Sequence, residues 1–94
     1  MGEEPLEQLV RLRESIDERD VELVRVLASR FELTRKVGVL KAAHDLPPKD
    51  PAREEEHFAY LRSAAEEARL DPELVTTIFD AIMAQVRRDH LSFR

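Results

Sequence analysis

From Leu6 to Lys41 the chain contains no proline and a single glycine, Gly38, and its apolar residues recur at helical spacing. Such a run predicts one uninterrupted helix that starts at Pro5 or Leu6 and ends between Lys41 and Ala43. A helix of about 37 residues is about 55 Å long at 1.5 Å per residue. A compact chain of 94 residues has a radius of gyration of about 12 Å, and so a diameter of roughly 30 Å. The helix therefore overhangs any globule the chain can make alone, and it carries an apolar stripe along most of its length. A second copy of the chain is the simplest cover. The pattern predicts an intertwined homodimer whose long helices pack antiparallel at a coiled-coil-like crossing.

Two shorter helices follow. The stretch Lys49-Asp50-Pro51-Ala52-Arg53-Glu54 opens the second, with Asp50 suited to the N-cap and Pro51 to the first helical position. Its apolar stripe is Phe58, Leu61, Ala65 and Ala68, and the same spacing carried backwards reaches Glu54. Asp71 and Pro72 repeat the start signal for the third, whose stripe is Val75, Phe79, Ile82 and Val86, with His90 one turn further on. Pro47 and Pro48 make residues 44–49 a loop. Charged residues make up 37% of the chain and there are only two glycines, a balance that favours helix throughout. The expected architecture is all-α, three helices in a single domain over residues 1–94.

The charges on the long helix fall in unexpected places. Heptad steps back from Val37 give Arg30, Leu23, Ile16 and Leu9, an apolar line broken once. Steps back from Lys41 give Thr34, Leu27, Asp20 and Arg13. One reading makes Arg13, Asp20, Arg30 and Lys41 interfacial ion pairs that set register. The other weighs three cations near the seam against one nearby anion, Asp20, an imbalance that costs several kcal/mol (order of magnitude) if buried without an anionic guest. Asp50 and Glu54 return towards Lys41 after a short connection, and two separated arginines suit a dicarboxylate, each gripping one carboxylate with two hydrogen bonds. The second reading is a small polar pocket for a small dianion. Gly38, which costs about 1 kcal/mol against alanine, admits a close neighbour or a ligand.

Other classes of function are poorly supplied. Fifteen Lys and Arg against twenty Asp and Glu leave a net charge of −5, which argues against nucleic acid as a partner. No run approaches the length of a membrane span, and the acidic start lacks a signal-peptide pattern. The absence of cysteine removes thiolate metal sites and disulfides, and suits a reducing cytoplasm. Ser29, Ser63 and Ser92 have no His–Asp companions, there is no Gly-rich phosphate loop, and His44, His57 and His90 are too scattered for a metal site. His44 and His57 read as solvated surface residues.

Taken together, the run from Leu12 to Lys41, the Leu-Arg-x-x-Ile-Asp-x-x-Asp opening at 12–20, the spacing of Arg30, Gly38 and Lys41, and the Asp50-x-x-Arg53-Glu54 turn resemble the all-helical (AroQ-type) chorismate mutases. The resemblance covers about residues 6 to 91. It implies an intertwined dimer of three-helix chains, and the isomerisation of chorismate to prephenate on the route to phenylalanine and tyrosine. No metal or cofactor takes part. Carried over by position, Arg13 reaches into the partner chain's pocket and grips the substrate carboxylates together with Arg30. Lys41 donates to the ether oxygen of the breaking C–O bond. Glu54 and the Asp50 backbone hold the ring hydroxyl, Arg53 orders the turn, and Val37 and Met83 form apolar wall.

Two positions depart from the best-known members. Val86 stands where they carry a serine, so one orienting hydrogen bond is lost or supplied elsewhere. His90 stands where they carry a glutamine that donates to the ether oxygen; it is expected to be the second donor, through a neutral ring N–H or an imidazolium. These departures keep open a mutase acting on 4-amino-4-deoxychorismate and an isochorismate-pyruvate lyase. A non-catalytic helical dimerisation module is the alternative from another class.

Overall fold

The structure is a computed structural model that describes Gly2 and residues 4–93; Met1, Glu3 and Arg94, at the ends of the expected 1–94 domain, lie outside the described residues. The described residues form three α-helices and no strand: α1 (Pro5–Ala43), α2 (Pro51–Glu67) and α3 (Pro72–Leu91). The all-α expectation, the helix starts read from prolines and caps, and the expected end of α1 agree with this. The chain groups into two compact units, Met1–Leu33 and Thr34–Arg94.

The first unit holds the greater part of α1. Its helix opens with Gln8 N–H donating to Glu4 O (3.0 Å), and Glu7 in the first turn complements the helix dipole. Every residue from Pro5 to Ser29 is exposed, the apolar ones included. Arg30 and Phe31 are half-buried.

The second unit closes on itself. Asp50 caps α2 by accepting from Arg53 N–H (3.1 Å), and Asp71 caps α3 by accepting from Glu73 N–H (3.0 Å). Both helices then begin with proline, which has no N–H to leave unsatisfied in the first turn. Helices α2 and α3 pack on each other. Ala65, Ile82 and Val86 are the buried core, and Phe58, Leu61, Val75, Phe79 and Met83 are half-buried. Ala68, expected on the α2 stripe, is instead the exposed C-cap, its N–H donating to Ala64 O (3.0 Å).

His57 departs from its expectation. It is half-buried, its ring edge-on to Phe79 (centroids 5.9 Å apart, 81°) and tilted against Phe58 (5.9 Å). An apolar helix face spans more than 100° of arc, so positions 57 and 58 both lie on it.

Helices α1 and α2 both end in left-handed turns without glycine. Beyond α1, Asp45 takes φ 50, with Leu46 N–H donating to Lys41 O (2.8 Å) and Asp45 N–H to Ala42 O (3.5 Å). Beyond α2, Arg69 takes φ 60, with Leu70 N–H on Ala65 O (2.8 Å) and Arg69 N–H on Glu66 O (3.1 Å). These paired 6→1 and 5→2 bonds are Schellman closures, which satisfy the last carbonyls of each helix.

Candidate active site

In the second unit the end of α1 and the start of α2 meet at the loop 44–49. The Schellman closure turns the chain sharply after Lys41. The Lys41 ammonium then donates to Pro48 O (3.4 Å), two residues before the α2 cap. This tie brings the lysine to the segment that leads into Asp50, Arg53 and Glu54. Asp50 uses a carboxylate oxygen on Arg53 N–H (3.1 Å), while Glu54 N–H donates to Asp50 O (3.0 Å). The side chains of Arg53 and Glu54 sit on exposed residues of the first α2 turn. An ammonium held by a single long bond to a carbonyl keeps N–H donors for a guest.

The apolar residues divide. Val37 on α1 is 44% exposed, whereas Val86 on α3 is 6% exposed and belongs to the core. Met83, one turn earlier on α3, is half-buried. Val86 thus has a packing role that a serine would fill poorly.

His90 lies against α1. Its Nε2 is 2.7 Å from Thr34 O, and its ring covers the backbone at Gly38, which is buried. The close neighbour that Gly38 was expected to admit is this imidazole. Reading the sequence did not reveal Thr34 O as the acceptor or Phe93 as a second neighbour, because a backbone carbonyl leaves no mark on residue type. The interior glycine was the only signal.

In the first unit Arg13 is exposed on α1 and Arg30 is half-buried, with its Nη1 shielded from solvent. Among the described residues no helix is long and apolar enough to cross a membrane.

Comparison with known proteins places these residues in context. Residues 12–90 match the family described as chorismate mutase type II. The match takes in Arg13 at one end and His90 at the other, and the chain belongs to this family. T-protein of Enterobacter agglomerans is 35% identical over 78 residues, covering 83% of this chain and 21% of that protein. T-protein of Haemophilus influenzae is 35% identical over 80 residues, covering 85% of this chain and 21% of its own length. A protein named chorismate mutase from Methanocaldococcus jannaschii is 28% identical over 78 residues, covering 83% of this chain and 79% of its own length. The chain thus spans about a fifth of the T-proteins' length.

Proposed function

We propose that residues 1–94 form one chorismate mutase domain that rearranges chorismate to prephenate as an intertwined homodimer. The observation that carries this reading is the family match over 12–90, within which all the proposed site residues fall. The Methanocaldococcus jannaschii relative supports it from a protein matched over most of its length. The cytoplasm is the proposed location, in keeping with a chain that has no cysteine.

The reaction is intramolecular: the ether C–O bond breaks while a C–C bond forms between the enolpyruvyl carbon and the ring. No proton or electron leaves the substrate, so the protein's task is to hold a reactive chair and stabilise charge on the ether oxygen. Arg30, with Arg13 from the partner chain, clamps the two carboxylates and so folds the enolpyruvyl arm over the ring. Lys41 donates to the ether oxygen as negative charge builds there. A donor already in place before the charge appears commonly contributes more to such catalysis than any other single effect. Glu54 and the Asp50 backbone take the ring hydroxyl, Arg53 orders the turn between them, and Val37 and Met83 supply the apolar side, with Val86 held in the core. A second donor from His90 would have to come through Nδ1, because Nε2 is engaged by Thr34 O.

The homodimer is supported by the exposed apolar line on α1. Leu9, Ile16 and Leu23 are 39%, 56% and 68% exposed in the single chain. Covering each stabilises by about 1.5–3 kcal/mol, which favours a partner helix along the seam.

The deciding experiment is product identification after incubating the purified protein with chorismate. Prephenate is expected from the wild-type chain. A 10⁶-fold acceleration corresponds to roughly 8 kcal/mol, and loss of one preorganised donor costs about 3–4 kcal/mol. Lys41→Ala should therefore lower turnover by about 10² to 10³. Chorismate left intact by the wild type, or near-normal turnover in Lys41→Ala, would overturn the assignment. Isochorismate and 4-amino-4-deoxychorismate would then be tried.

A further inference from the structure

A Cβ built on Gly38 would stand 2.6 Å from His90 Cδ2, 2.9 Å from His90 Nε2 and 2.8 Å from Phe93 Cδ2. Any side chain at this position would displace the two rings. The imidazole therefore lies on bare helix backbone, with Nε2 2.7 Å from Thr34 O. In an α-helix Thr34 O is already the acceptor for Gly38 N–H; its second lone pair takes the imidazole. A carbonyl can only accept, so Nε2 carries the proton.

The chain after α3 completes the arrangement. Ser92 N–H and Oγ–H both donate to Asp89 O (3.1 and 2.6 Å), and Phe93 N–H donates to His90 O (3.2 Å). This turn returns Phe93 to Gly38, with its ring 6.1 Å from that of His90 at 50°. The neighbouring carboxylate, Asp89, accepts from Gln85 (2.7 Å), whose Oε1 accepts from Arg88 (2.6 Å). The side-chain carboxylate beside His90 is thus engaged along α3, and the imidazole is left to bridge to α1.

We infer that His90 is a positioning residue: seated in the notch at Gly38 and donating to Thr34 O, it fastens the last turn of α3 to the α1 segment that carries Val37 and Lys41. The fastening sets where the Lys41 donor stands relative to Met83 and Val86, and it acts through the placement of α1 rather than by touching substrate. The inference rests on the mutase reading above.

Two variants of the chain separate this role from direct donation. Gly38→Ala keeps the imidazole and removes its seat, and alanine is the better helix former, so α1 should persist. His90→Phe keeps an aromatic ring and removes the N–H. Ring ¹⁵N spectra of the wild type should show a protonated Nε2, and Gly38→Ala should abolish that preference. Each variant should lower kcat on chorismate by about tenfold, with KM changed less, as expected when a reacting group is misplaced by a fraction of an ångström to an ångström. In the Gly38→Ala background, His90→Phe should cost nothing further, because the seat is already lost.

Wild-type kcat in Gly38→Ala would overturn the inference. So would additive losses in the double variant, which would mean that Gly38 and His90 act independently, or an Nδ1–H that donates to substrate in the bound complex, which would make His90 a direct donor. If the wild type leaves chorismate intact, the mutase reading falls separately. The spectra still decide the latch, and a tautomer unmoved by Gly38→Ala would overturn it.

Discussion

Residues 5–29 of α1 and the unit Thr34–Arg94 are built from the same helical periodicity, yet only the second buries apolar side chains within the chain, and it leaves others such as Leu40, Leu74 and Ile78 exposed. In the second unit Ala65, Ile82 and Val86 are buried within the chain, the helices are capped by Asp50 and Asp71, and the ends of α1 and α2 are closed by backbone turns. Along 5–29 every side chain is exposed, including Ile16 and Leu23. An amphipathic pattern therefore records that a face is to be covered without recording by what. Where the chain supplies the cover itself, as at Ile82 and Val86, it can be read from one chain. For 5–29 the proposed cover is a second copy, and this segment carries Arg13, one of the two proposed carboxylate clamps.

The largest test of this contrast is Ile16→Glu. Were α1 to stay bare in solution, the change would fall within about 0.5 kcal/mol, as at other surface sites. On a seam covered by a partner helix, a buried and unpaired carboxylate costs about 3–5 kcal/mol. The larger cost is expected, read as a lower denaturation midpoint together with a shift from dimer to monomer in sedimentation. A stable dimer with an unchanged midpoint would remove Ile16 from the interface.

Next comes the chain of origin of Arg13. Arg13→Ala and Lys41→Ala should each be nearly inactive, whereas coexpressing the two should restore about a quarter of wild-type activity. Half of the dimers are then mixed, and each mixed dimer keeps one intact site of two if Arg13 crosses to its partner. Clamping within one chain predicts no recovery, since every site in a mixed dimer would lack one of the two residues. The assay is prephenate formation by the purified mixture.

A smaller effect separates a cap that only folds from one that also serves the site. Asp50→Ala and Asp71→Ala each remove one side-chain acceptor from a helix start, and each should cost about 1 kcal/mol in unfolding. Asp50 also shapes the turn bearing Arg53 and Glu54, so Asp50→Ala alone should lower kcat/KM. Equal activity losses in the two variants would reduce Asp50 to a structural cap.

These tests follow the line between what the sequence discloses and what it hides. The starts of all three helices were legible because Pro5, Pro51 and Pro72 and the caps Asp50 and Asp71 act locally, over a single turn. The stripe of α3 was legible as well, since Ile82 and Val86 recur at the spacing that packing requires. His57 was misread because one more residue at the margin of a wide apolar face looks like surface until Phe79 is placed beside it. The seat of His90 was half legible: Gly38 signals a close approach, but its partner lies 52 positions away, a distance read from the numbering. Lys41 stood out by charge in a heptad line of α1, and Glu54 on the apolar stripe of α2 carried backwards. Their roles came from the resemblance to the mutases.

The two Schellman closures were also hidden, because neither carries the glycine that would have announced it, and they offer the smallest test. A non-glycine residue in the left-handed region is strained by about 1–2 kcal/mol, while glycine brings roughly 0.4–1 kcal/mol of extra entropy to the unfolded chain. Arg69→Gly, at φ 60, should therefore stabilise the chain by roughly 0.5–1 kcal/mol. Asp45→Gly, at φ 50, should gain less, because a short polar side chain tolerates this conformation. Chemical denaturation of both variants measures the order. Destabilisation by Arg69→Gly would mean that the arginine side chain contributes more to the closed unit than its backbone costs. The end of α2 would then owe its turn to tertiary contacts rather than to local geometry.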